Sequence, residues 1–265
     1  MRACLRLIVP LAASLTLHSA QAQALPPLQL YAAGSLREAM TEVVQQFEAQ
    51  SGRQVVLTLG ASGLLRERIE KGEPAQVFAS ADVDHPQRLA QAGGWQAPAV
   101  FALNQMCALA RPGLEASPES LLDTMLRSDV RLGTSTPKAD PSGDYAWALF
   151  RRAEERRPGA FAALETKALQ LTGGADSPKP PAGRGTYAWV MDEGQADLFL
   201  TYCTNAVAAQ REVPRLKIVD VPEPLQVSAR YGLTSRQNAD AGAAGELQSL
   251  GLQRGEGAGT PFLGT

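Results

Sequence analysis

Four stretches place small polar residues and glycines where an apolar run stops and a helical pattern begins. They are "LYAAGSLREAM" at 30–40, "LGASGLLRERI" at 59–69, "KADPSGDYAWALF" at 138–150 and "PPAGRGTYAWVM" at 180–191. Each carries a potential donor to an anion: Ser35, Ser62, Ser142 and Arg184. Unpaired N–H groups at a helix start, together with the helix dipole, favour a negative guest. Glycine lets backbone approach a ligand closely, and serine hydroxyls add neutral donors. Each junction alone also has a purely structural explanation. Ser35 with Glu38 three residues on reads as a capping box, and Asp140 before Pro141 reads as an N-cap with proline at the first helical position. Ser62 has no such partner, because Leu65 stands where a glutamate would be. The recurrence of the pattern, rather than any one junction, points to an oxyanion site.

Other chemistries are poorly supplied. The first segment, "MRACLRLIVPLAASLTLHSAQAQA", has two arginines, an apolar stretch and small residues ending at Ala22 or Ala24, the pattern of a cleaved secretory signal. His18 lies within it, which leaves His85 as the one histidine of the expected mature chain. His85, in "ADVDHPQRL", reads as a surface loop residue. One histidine argues against a Ser-His or Cys-His nucleophile and against a histidine metal site. A secreted hydrolase built on Ser35, Ser62 or Ser142 has no G-x-S-x-G elbow and no second candidate base among histidines. Without the signal, 23 Lys+Arg face 27 Asp+Glu, a net charge of −4 with no basic patch, which argues against nucleic acid. Cys107 and Cys203 would sit in an oxidising compartment; a bridge and two buried thiols are both open, since sequence carries no distance.

The elements that must position these residues alternate. "LQLYAA" reads as a strand, and 36–50 as an amphipathic helix with Leu36, Met40, Val43, Val44 and Phe47 on one face. "QVVLTLG", "AQVFASA", "ALNQMCALARPG", "VRLGTS", "KALQLTGG", "ADLFLTYC", "RLKIVDV" and "LQVSARYGLT" read as further strands. Most are followed by helical patterns, including one near 86–92, one at 118–127, one from Ser142 and one at 186–193. Repeated βαβ units predict an α/β fold with a mostly parallel sheet covered by helices. In such a sheet the strand-to-helix turns line one edge, where ligands bind. "ADSPKPPAGRG" is a loop by its Pro and Gly content. The last 25 residues are glycine-rich, with a short helix predicted around 239–250 and a loose remainder.

"AAGSL", "GASGLL" and "IEKGEPAQVFASAD", with "DEGQADLFLTY" later, resemble the periplasmic molybdate-binding proteins of ABC transporters, a type II periplasmic solute-binding family. The resemblance covers most of residues 28–206. It implies a two-lobed fold, each lobe a mostly parallel sheet flanked by helices, with the ligand cleft between them. Residues 25–103 and 214–265 would form lobe 1, and residues 104–213 lobe 2. It also implies molybdate or tungstate as a transported ligand rather than a cofactor, held by Ser35, Ser62, Ser142, Arg184 and Tyr202. These residues would touch oxygen, so molybdenum is met only as molybdate. The family contact at 184 is made by main chain, although Arg184 could instead clamp the anion or pair with Asp140 or Asp144. Those two carboxylates leave phosphate or phosphonate as alternative ligands, because they could accept a ligand proton; sulfate, fully ionised like molybdate, is a further alternative that only size would reject. The expected protein is a periplasmic monomer without catalytic residues that hands its ligand to a membrane permease.

Overall fold

The computed structural model describes residues 26–237, together with residues 242, 244–247 and 249. The expected signal peptide and the end of the glycine-rich tail lie outside these residues. Helical residues at 242, 244–247 and 249 coincide with the predicted terminal helix, and Ala244 and Leu247 are buried in the main core.

The first half-sheet starts from β1 (Leu28–Ala33), an apolar run flanked on both sides by parallel neighbours, β2 (Val55–Gly60) and β3 (Val77–Ser80). A strand paired on both edges and covered on both faces has little place for polar side chains, so β1 is apolar except for the partly buried Gln29. Between β1 and β2 runs α1 (Arg37–Ser51). It buries Met40, Val43, Val44 and Phe47, the i, i+3, i+4, i+7 stripe, and stops at Gly52 in a left-handed conformation. A short 3-10 turn, Gly34–Leu36, precedes it. α2 (Ser62–Glu70) and α3 (Asp84–Ala92) complete this half. α3 begins two residues before the predicted start and takes His85 with it. His85 is only 5 % exposed. The surface-loop expectation for it is therefore wrong, because the helix packs that residue inward.

The chain then crosses over through β4 (Ala99–Ala110), twelve residues long. Its first part, Ala99–Gln105, pairs antiparallel with β9 (Ser228–Ser235); its second part, Met106–Ala110, pairs with β7 (Leu198–Tyr202) and β8 (Lys217–Asp220). The second half-sheet continues from β7 to β5 (Leu132–Ser135) and β6 (Leu169–Thr172), both parallel pairings. Each half thus has a parallel core, joined by antiparallel crossover strands. The overall strand order is β2-β1-β3-β9-β4-β7-β5-β6, with β8 beside β4. Lys217–Asp220 was expected in the first lobe but hydrogen-bonds to Cys107–Ala110 in the second half-sheet.

Five helices clothe the second half: α4 (Leu121–Leu126), α5 (Pro141–Arg156), α6 (Ala160–Lys167), α7 (Thr186–Asp192) and α8 (Cys203–Glu212). α6 and α8 have no counterpart in the predicted elements. Cys203, the first residue of α8, forms a disulfide with Cys107 of β4 across a sequence separation of 96. That bond pins the start of α8 to the crossover strand.

Loss of this bridge should cost about 2–5 kcal/mol, since it closes a loop of nearly a hundred residues. Denaturant unfolding of Cys107→Ala/Cys203→Ala should show the corresponding drop in midpoint. An identical midpoint for the parent with and without reductant would refute a stabilising role.

Candidate functional site

The C-terminal ends of β1, β2, β3, β5 and β7 point toward the seam between the half-sheets, and four of the five expected residues meet there. Ser35 lies in the 3-10 turn after β1. Its hydroxyl makes no cap bond to α1; it accepts from the Tyr231 hydroxyl at 3.1 Å. The capping-box expectation is thus replaced by a tertiary contact, made because β9 carries Tyr231 across to that turn. Ser62 opens α2, is 1 % exposed, and its Oγ accepts from the Ala81 N–H at 3.1 Å. The Tyr202 hydroxyl, at the end of β7, donates to the carbonyl of the same Ala81 at 3.3 Å. One residue after β3 therefore ties a serine of the first half to a tyrosine of the second.

Aromatic rings extend the link. Tyr202 packs edge-on against Tyr231 at 5.6 Å and against Tyr145 at 6.0 Å. Tyr145 lies on α5, one turn past Ser142. Asn104, a buried amide in the largely apolar β4, donates to the Tyr231 hydroxyl and to Thr204 Oγ1, both at 2.9 Å. Sequence reasoning missed Tyr231, Tyr145 and Asn104. Polar residues inside otherwise apolar runs, "FALNQMCALA" and "SARYGLT", were the available signal.

Ser142 sits in the first turn of α5. Asp140 caps that helix as expected, accepting from the Ser142 N–H at 3.0 Å. The Ser142 hydroxyl is 0 % exposed and has no hydrogen-bond partner. An orphan buried hydroxyl is costly and uncommon, so its presence calls for an explanation. The two halves also touch directly: the Gly63 N–H donates to the Ala139 carbonyl at 2.9 Å. A Cβ at Gly63 would fall 2.2 Å from the Lys138 carbonyl oxygen, so only glycine permits this approach.

Arg184 is not part of this assembly. Its guanidinium bonds Glu212 and Asp192, and its backbone N–H donates to the Pro181 carbonyl. Both groups expected to reach the anion, the guanidinium and the backbone N–H, thus have protein partners. Arg184 does not pair with Asp140 or Asp144, because α7 and α8 present nearer carboxylates. It lines a shallow surface depression with Gly183, Val213, Pro214 and Arg215.

The seam combines neutral donors with carboxyl groups. Burial pushes the Tyr145 phenol up to about 12 and that of Tyr202 well above its ordinary value, so both remain protonated donors. Burial holds the His85 imidazole below its usual range; its ring stands 3.6 Å from Asp82, with both ring nitrogens otherwise unpartnered. Part of Asp140 meets solvent, but its carboxyl lies deep. Burial first, with Asp144 and Asp82 adding, pushes it up to about 6 against the pull of the Ser142 amide and the Ser135 hydroxyl. The arrangement can hold a small anion by neutral hydroxyls at a helix start. It also carries carboxyl acceptors.

The chain is similar to known proteins along most of its length. A family model described as bacterial extracellular solute-binding protein matches residues 28–249. An uncharacterized protein of Pasteurella multocida is 37 % identical over 209 residues, which span 78 % of this chain and 86 % of that protein. The molybdate-binding protein of Escherichia coli is 27 % identical over 194 residues, 69 % of this chain and 68 % of that protein. The solved sulfate-binding protein of Mycobacterium tuberculosis superposes with a TM-score of 0.67 at 20 % identity, covering 85 % of this chain and 81 % of that one. At that identity the likeness concerns the fold, a two-lobed periplasmic binding protein.

Gly63→Ala should force the halves apart without unfolding α2. Small-angle scattering should show a larger radius of gyration than the parent; an unchanged radius would mean that the Lys138–Ala139 loop yields instead. Arg184→Ala should change the melting temperature little, as solvent-screened surface pairs contribute little, and leave anion affinity unchanged. A tenfold weaker affinity by calorimetry would restore Arg184 to the site.

Proposed function

Because the chain belongs to the bacterial extracellular solute-binding proteins, we propose that it is the extracytoplasmic binding component of an ABC importer. On this reading it captures molybdate or tungstate in the cleft between its lobes and delivers the ion to a membrane permease. The proposed location is the periplasm. Among the described residues, no helix is long and apolar enough to cross a membrane.

The observation that carries the reading is the orphan hydroxyl of Ser142 at the start of a 16-residue helix. An oxyanion is the missing partner that such a hydroxyl needs, and the helix start favours negative charge. Ser35 and Ser62 only accept within the protein and keep their protons for a ligand, while Tyr202 would turn its proton from the Ala81 carbonyl to join them. Molybdate at neutral pH only accepts hydrogen bonds, so hydroxyl donors suit it. A ligand touching Ser35 and Ser62 in one lobe and Ser142 and Tyr202 in the other stabilises the closed form by its differential affinity.

Capture of a phosphate- or phosphonate-type group is the second reading. Asp140 and Asp144 favour it, since their carboxylates would accept the ligand's own proton, which molybdate and sulfate lack. Sulfate, fully ionised like molybdate, would be told apart from it by size.

Calorimetric titration with molybdate, tungstate, sulfate and phosphate tests the reading. Molybdate or tungstate should bind most tightly. Ser142→Ala should weaken binding about 10- to 100-fold, the loss of one hydrogen bond to a charged group, with little change in melting temperature because the hydroxyl has no protein partner. Tighter phosphate binding would select the second reading; no heat with any of the four would remove both.

A further inference from the structure

We propose that the cleft takes up its oxyanion together with one proton, which Asp140 carries in the bound state. This rests on the oxyanion reading and adds to it a proton that is present even when the ligand itself has none.

The geometry creates the requirement. Asp140 Oδ1 accepts from the Ser142 N–H, and the Asp140 carbonyl accepts from the Gly143 N–H at 2.8 Å. The carboxylate therefore occupies the helix start on the same turn as the orphan Ser142 hydroxyl. An anion drawn to that hydroxyl meets Asp140 at once. Oδ2 is packed against the backbone after β6, where a Cβ on Gly173 would fall 2.5 Å from it, so the carboxyl has little room to swing aside.

The surroundings do not offset the charge. Asp144 of α5 and Asp82 beyond β3 add negative potential. His85 of α3 faces Asp82 and Asp144 but is held neutral by burial, with Arg66 and Arg88 nearby opposing its protonation. Tyr187 of α7, Tyr202 of β7 and Tyr231 of β9 face Asp140 as protonated phenols. Ser135 of β5 contributes a hydroxyl. Arg184 is engaged by Glu212 and Asp192.

Neutralising Asp140 resolves the conflict. The neutral acid keeps Oδ1 as the N-cap acceptor and no longer sets a negative charge against the anion. The proton comes from solvent. Burial already brings the carboxyl up to about 6, and a neighbouring dianion raises it further. Linkage fixes the sign: a complex that binds more protons than its free components becomes tighter as pH falls.

Titration with molybdate and with sulfate, in buffers of differing ionisation enthalpy, counts the protons taken up. Near neutral pH the parent should take up a substantial fraction of one proton per anion, and its affinity should fall up to about tenfold per unit between roughly pH 6.5 and pH 8.5. Asp140→Asn keeps an N-cap acceptor and should abolish the uptake and flatten the profile. Asp144→Asn should leave both in place. Binding without proton uptake by the parent overturns the inference and leaves the oxyanion reading standing, and this holds even if Asp140→Asn fails to fold. Undiminished uptake in Asp140→Asn, or its loss in Asp144→Asn instead, also overturns it. Failure of the parent to bind any of the four anions removes the oxyanion reading and this inference together.

Discussion

β4 serves two sheets, and the cleft depends on that constraint. Its first seven residues pair with β9 and its last five with β7 and β8. The strand ends of the two halves are therefore held at a common seam, close enough for single hydrogen bonds to span it. Ala81 shows how close: its N–H is held by Ser62 from one half and its carbonyl by Tyr202 from the other. Asn104, near the middle of β4, reaches Tyr231 on β9 and Thr204 on α8. The disulfide fixes that same α8 to β4 one residue away from Tyr202.

The donors at the seam are uncharged, and this suits capture followed by release. Neutral hydroxyls hold an anion without the desolvation cost of a buried cation and distinguish acceptor-only ligands from those bearing a proton. Of the hydroxyls, only that of Ser142 lacks a protein partner; those of Ser35, Ser62 and Tyr202 are already engaged. Ser62 is in this sense double-acting, because its hydroxyl accepts from a buried amide while its proton stays available. The carboxyls of Asp82 and Asp144 add negative potential at Asp140 in the same seam.

Local signals made much of this legible. Apolar runs, glycine stops and the 3.6-residue stripe of α1 are properties of neighbours in sequence, so the alternation of strands and helices, the junction serines and the Asp140 cap could be read from the chain. α8 escaped because it starts directly after β7, with no polar or glycine break between them. α6 escaped because its short run buries only Ala160 and Leu164 and shows little periodicity.

By itself, then, the sequence determined the α/β architecture and where strands turn into helices, since both follow from backbone propensity and side-chain periodicity. Tertiary structure alone decided what each polar group meets. Tyr231 and Ser35 are 196 residues apart, Tyr202 and Ala81 are 121 apart, and Cys107 pairs with Cys203 across 96. Arg184 turned to Glu212 and Asp192 for the same reason, and His85 was buried by the packing of α3. Contacts at such separations depend on strand order and crossover, which no local pattern encodes.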